Sequence, residues 1–202
     1  MERTQNILFL GMHFLLLCGP PAVGKMTIGR EIASRTGFKL FHNHLSIEFA
    51  LNYFDFGDPE FAELNEGLRQ LVFSTVAKSQ QLSGFIFTLV WAFNEQEDWD
   101  YVRDLVNRFT NNGWTFSVVE LYAPLKIRHE RNKTPLRLAE KPSKRNIELS
   151  ADNLDKMDSK YTMNNGNVQI PGVDYFYLDV AECTPQSAAD QIIRHFKWPT
   201  ID

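Results

Sequence analysis

The chain has 202 residues, 44% of them hydrophobic, which is enough for one sizeable core. Its formal net charge of -4 excludes the broad basic footprint that nucleic acid or an anionic membrane surface would need. Two cysteines, Cys18 and Cys183, stand far apart and without metal-ligand spacing, which excludes a disulfide framework and suits the reducing cytoplasm.

The start is apolar behind Arg3, like a secretory leader, but the run leads directly into a glycine-rich loop that cleavage would destroy. We therefore expect residues 1–11 to be an extension and Met12–Cys18 to be a buried strand opening one domain over 12–202. No run reaches the roughly 18–20 uninterrupted apolar residues of a membrane span. The loop reads Gly19-Pro20-Pro21-Ala22-Val23-Gly24-Lys25-Met26-Thr27. Residues 24–37 follow as a helix closed by Gly37. A short strand is expected at 38–42 and a helix at 45–54. Asp58 then caps a long helix with Pro59 at its first position, and Phe61, Leu64, Leu68, Leu71 and Val72 share one face. Residues 84–93 are apolar throughout, as a buried parallel strand should be. A helix over 97–113, stopped by Asn-Asn-Gly, precedes a strand over 114–123. A basic stretch with two prolines runs from Arg128 to Arg145. Residues 150–161 return to helix with Ser150 as cap. Residues 174–180 form the fifth strand, and 184–196 the last helix, with Thr184 capping and Pro185 first. Strands alternating with helices predict an α/β fold, a three-layer α/β/α sandwich on a five-stranded, mainly parallel sheet.

The loop carries the chemistry. Gly-x-x-x-x-Gly-Lys between a buried strand and a helix lets backbone N–H groups converge on phosphate. The helix N-terminus adds partial positive charge, and Lys25 adds a full one. Met26 occupies the place where a hydroxyl usually meets Mg²⁺, a hard ion that takes oxygen ligands; Thr27 is the nearest hydroxyl.

With these residues the chain resembles the small P-loop kinases: nucleoside monophosphate, shikimate and gluconate kinases and related antibiotic phosphotransferases. The resemblance covers about residues 12–197. It implies ATP with Mg²⁺ on residues 19–27, the metal held mainly by phosphates and water with Thr27 as its one protein contact. In 123–137 it implies that Arg131 stacks on adenine and that Arg137 belongs to a short mobile lid, about 132–149, closing over the phosphates. Arg128 is a reserve for either part, while Lys141, Lys144 and Arg145 add positive field. The closing strand and helix fit the same superfamily, with Asp179 shaping the adenine-side loop.

The acceptor side, about 45–82 and its borders, departs from the pattern. His42 and His44 stand where shikimate-kinase-like chains carry Asp-x-Asp, and Ile47-Glu48 are kept. A histidine there orients a hydroxyl or takes its proton; the alternative is a structural histidine. Strand three lacks the Walker-B aspartate, the glycine triplet of shikimate kinase and the Asp-Gly-x-Pro-Arg of adenylate kinase. Trp91 and Phe93 form an aromatic acceptor wall or are plain core. Thr88 and Asn94 lie at the ligand-binding end of that strand, and Glu95 is a candidate for the missing carboxylate. Arg69 is a candidate acceptor clamp, and Lys156 and Lys160 are looser ones. Expected catalytic groups are Lys25, Arg137 and His44; expected acceptor contacts are His42, His44, Glu48, Arg69 and Trp91. The expected activity is γ-phosphoryl transfer from ATP to a small molecule. The alternative is a nucleotide-binding switch that transfers nothing.

Overall fold

The computed structural model describes residues 11–201. The expected extension, apart from Gly11, lies outside the described residues. Five strands form one sheet: β1 (Met12–Cys18), β2 (Lys39–His42), β3 (Gly84–Leu89), β4 (Trp114–Tyr122) and β5 (Val173–Asp179). Their order is β2-β3-β1-β4-β5, and every pairing is parallel.

Period-two alternation divides the apolar residues between the two faces. Phe14, Leu16 and Cys18 of β1 face one way with Phe87 and Phe116. There they meet Phe73 of α3 (Pro59–Ala77) and Val102, Leu105 and Phe109 of α4 (Gln96–Thr110). Leu15 and Leu17 face the other way with Ile86, Val119 and Leu121. That side is covered by Ile28 and Ile32 of α1 (Lys25–Thr36) and by Ala188, Ala189 and Ile192 of α8 (Pro185–Phe196). Helix, sheet and helix are the three layers, and all strands point their C-terminal ends to one edge.

Several boundaries move for local physical reasons. Strand three ends at Leu89, so Trp91 and Phe93 lie in a loop. Along α3 the inward residues are Phe61, Phe73 and Ala77, whereas Leu71 is 63% exposed. The stripe we expected is rotated towards Phe73 because that ring fills the space between Phe41 and Phe87. Asp58 holds the N-cap position, but its carboxylate accepts the Asp55 N–H at 2.8 Å and does not cap the helix. The basic stretch and the residues before it fold as α5 (Leu125–Asn132), α6 (Pro135–Glu140) and a 3-10 turn (Pro142–Lys144). The next helix, α7 (Ile147–Lys160), begins earlier than expected. Asn146 caps it, accepting the Leu149 N–H at 3.1 Å, so Ser150 is an interior residue whose hydroxyl donates to Asn132 Oδ1. Gly37, Thr184 and Pro185 punctuate their helices as expected.

Candidate active site

The loop between β1 and α1 sits at the centre of the sheet edge, where the neighbours of β1 are β3 and β4. That is the topological switch point at which open α/β sheets bind ligands. Gly19 takes φ 134°, and a Cβ there would lie 2.4 Å from Leu121 O, so only glycine fits. Gly24 takes φ 116° and hands the chain to Lys25, the first residue of α1. The loop's curl leaves the Lys25 ammonium inside it, donating to Gly19 O at 2.5 Å and Pro20 O at 2.8 Å. Burial, and then the repulsion of Lys141, push its pKa well below the usual lysine value. Thr27 donates to Gly24 O at 2.9 Å, and Met26 is buried beside it.

A cavity of about 640 Å³ opens from this loop across the C-terminal strand ends. Its walls include Pro21–Ile28, Asn43 and His44 after β2, Thr88 and Val90 at the end of β3, and Arg137, Lys141 and Lys144 from the segment expected to be a lid. Among the described residues no Asp or Glu lines it. Five basic side chains, Lys25, Arg131, Arg137, Lys141 and Lys144, line this one space. Burial lowers Arg137 to about 10, and burial with Arg137 and then Lys144 lowers Lys141 to about 7. Such mutual repulsion is relieved by an anion of several charges.

At the far end of the loop, Arg131 donates to Val23 O at 2.9 Å and to Val180 O and Ala181 O at 2.6 and 3.1 Å. These bonds use the edge of the guanidinium, and Arg131 lines the cavity. Asp179 accepts the Ala181 N–H at 2.9 Å and so shapes this same loop. Arg137 donates from Nε to Asn132 Oδ1 at 2.8 Å, which anchors it to α5.

Other candidates fall elsewhere. Arg128 is buried, donating to Ala123 O at 3.1 Å and pairing with Asp158 of α7, so it fastens two helices and is no reserve for phosphate. Arg69 donates to Ser46 Oγ at 2.9 Å and lies over Phe87; it joins α3 to α2 (His44–Ala50) and does not line the cavity. Trp91 is fully buried between Phe93 and Trp99 and is core. His42 is buried behind the cavity wall, and burial and then Lys141 lower its pKa to about 4. Glu48 also stays out of the wall: it accepts from His44 Nδ1 at 3.0 Å, Ser143 Oγ at 2.6 Å and Ser143 N at 3.2 Å. Asn94 braces the loop before Thr162. Glu95 and Lys160 border a separate hollow of about 360 Å³, and Lys156 pairs with Asp152 on the surface. The two histidines and their neighbours form no group able to hold a metal among the described residues.

Sequence reading passed over Lys141, Lys144 and Phe56 as site residues. Helical spacing does not relate Lys141 and Lys144 to Arg137, because α6 ends at Glu140 and Pro142 opens a 3-10 turn. Phe56 carried no signal either; Lys144 Nζ lies 5.6 Å from its ring centroid only in the folded chain.

No family model matches the chain, and no curated protein matches it. Solved structures do match. A sugar kinase from Janibacter sp. HTCC2649 superposes with TM-score 0.54 at 14% identity, covering 93% of this chain and 95% of that one. The tunicamycin resistance protein of Deinococcus radiodurans gives TM-score 0.53 at 16% identity, covering 94% and 99%. Shikimate kinase from Bacteroides thetaiotaomicron gives TM-score 0.53 at 16% identity, covering 92% and 98%. The chain has the P-loop, shikimate-kinase-like fold.

Proposed function

We propose that the protein is an ATP-dependent kinase that transfers the γ-phosphoryl group to a small-molecule acceptor. The observation that carries this is the convergence of Lys25, Arg137, Lys141 and Lys144, with a helix N-terminus, on one cavity walled without carboxylates. A polyphosphate is the ligand that such a field favours. Similarity to structures described as a sugar kinase and a shikimate kinase supports the reading.

In this reading residues 19–27 wrap the phosphates, and Arg131 offers a guanidinium face to the base. Lys25, Arg137 and Lys141 meet the charge that spreads over the transferring group, so rate comes from positioning and electrostatics. Thr27 is the hard oxygen available to Mg²⁺, fitting a metal held chiefly by phosphate and water; the ion would add charge neutralisation there. His44 faces the acceptor half, with Asn43 and Thr88 beside it. His42, Arg69 and Trp91 support the walls from behind. Both cysteines are free, and no helix among the described residues is long and apolar enough to cross a membrane, which fits a cytoplasmic protein.

The absence of a lining carboxylate favours one other reading, a nucleotide-binding switch without transfer. The experiment that separates them has two parts. Mg²⁺-ATP should raise the melting temperature, and Lys25→Ala should remove most of that rise; no rise in the native chain sinks the nucleotide reading. ADP release is then measured with nucleosides, sugars, shikimate and aminoglycosides. Arg137→Ala should leave ATP binding largely intact and cut acceptor-dependent release about 100-fold or more. No release above the acceptor-free rate would favour the switch.

A further inference from the structure

The hydrogen bonds around Glu48 form a chain from the lid to the acceptor wall. Glu48 lies on α2, one turn after His44, and Ser143 lies in the 3-10 turn that follows the lid helix α6. The carboxylate takes all its recorded donors from these two residues: Oε1 from His44 Nδ1 at 3.0 Å and Ser143 Oγ at 2.6 Å, Oε2 from Ser143 N at 3.2 Å. Burial opposes its ionisation, but the bonds from His44 and Ser143 prevail and hold its pKa below the usual glutamate value. An ionised carboxylate only accepts, so Nδ1 of His44 must carry the proton. Nε2 then holds a lone pair. It makes no hydrogen bond to the described residues, and His44 lines the cavity.

We propose that Glu48 is a positioning residue controlled by the lid: joined to Ser143, it holds His44 in the Nδ1–H tautomer that can take the proton of an acceptor hydroxyl. This rests on the kinase reading and narrows it, because a phosphate acceptor needs no base, whereas an alcohol does. In the transfer, the acceptor oxygen bonds to the γ-phosphorus as the bond from that phosphorus to the β,γ-bridging oxygen breaks. The electron pair leaves with ADP, and the hydroxyl proton ends on His44 Nε2, where Glu48 stabilises the imidazolium. Burial, partly offset by the Glu48 hydrogen bond, lowers His44 to about 3, so free His44 is neutral; Lys141 and Lys144 also lower it, so it gains basicity as a polyphosphate offsets their charges. Opening the lid removes Ser143, and with it two of the three donors that fix Glu48. The base is thereby fully ordered when Arg137, Lys141 and Lys144 are also over the phosphates. Water entering an open site meets a base without its fixed partner, which protects ATP from hydrolysis.

Imidazole ¹⁵N NMR on the full chain labelled at histidine tests this, with AMP-PNP and Mg²⁺ added in a second sample. The His44 signals are those lost in His44→Gln. The native chain should show a protonated-type Nδ1 and an unprotonated-type Nε2. Ser143→Ala should move both nitrogens towards tautomer-averaged shifts by about a third of the full difference or more. Ser143→Thr, which keeps the hydroxyl, should restore them. Should Ser143→Ala not fold, Glu48→Gln is read the same way, since an amide can donate to Nδ1 and invert the tautomer. An Nε2–H tautomer in the native chain, or His44 nitrogens unmoved by these variants, overturns the proposal. Failure of AMP-PNP to bind would instead remove the kinase reading while leaving the tautomer measurement intact.

Discussion

Lys25 and Lys141 share a difficulty that their neighbours create. Each is buried, and each faces other cations across the cavity, so each is held below its ordinary pKa, Lys141 at about 7. A polyphosphate placed between them reverses the balance, because an opposite charge favours the ammonium form. The sign follows. Free Lys141 is largely neutral above pH 7 and becomes protonated when the anion arrives, so ATP binding takes up protons. At pH 8 the uptake should be about 0.5–1 proton from Lys141. Calorimetry in two buffers of different ionisation enthalpy measures it, and Lys141→Met should lower it by that share. Proton release on binding would mean that the anion does not sit against these lysines. Glu120 shows the opposite arrangement. Fully buried on β4, it accepts the N–H groups of Asn165 and Gly166 and the Tyr175 hydroxyl, so its oxygens are already hydrogen-bonded. It shapes the chain before β5 and leaves the cavity without a carboxylate.

At the level of elements, the segment 135–144, the proposed lid, bridges α1 and α2. Arg30 of α1 donates to Glu140 of α6 at 3.0 and 2.6 Å, and Ser143 meets Glu48 of α2. The Arg30–Glu140 pair is solvent-exposed, and exposed pairs contribute about 0–1 kcal/mol. Arg128–Asp158, which joins α5 to α7, is different: the arginine is buried, and hydrogen bonds to charged groups contribute about 1.5–3 kcal/mol. Asp158→Asn should therefore lower unfolding stability by about 1.5–3 kcal/mol, and Arg30→Gln by less than about 1 kcal/mol, both read from urea midpoints. Equal losses would mean that the contact at the tip of the 135–144 segment is as strong as the helix contact, and would count against the proposal that this segment opens as a lid. The proposed lid needs that difference: a firm base at α5 and α7, and a weak catch at its tip.

For the whole molecule, sheet order decides where ligands go. With β3 and β4 on either side of β1, the loops after them diverge and leave the crevice above the phosphate loop. A ligand filling the cavity would touch α1, the 134–144 segment and the loop after β5, so its binding energy would report on the folded chain as a unit. At 100 times its dissociation constant, ATP should add about 2.7 kcal/mol. For a chain of this size that raises the melting temperature by about 5–11 °C. A rise well below that at saturation, with affinity measured independently, would show that the unfolded chain also binds or that unfolding is not two-state.

Much of this was legible in the residues. The run Phe14–Cys18, the glycines at 19 and 24, Lys25 and the alternation of apolar strands with capped helices determined the parallel sheet and the glycine loop at its centre, because these signals act over a few residues. Arg131 and Arg137, singled out by the resemblance, both line the cavity. Tertiary structure alone decided the acceptor side. Trp91 and Arg69 carry the right chemistry, but Phe93, Trp99 and Ser46 claimed them. Glu48 turned to Ser143, 95 residues away, and so left the wall to act through His44. Which polar group faces a ligand and which faces a neighbour depends on contacts distant in sequence, and periodicity carries no trace of them.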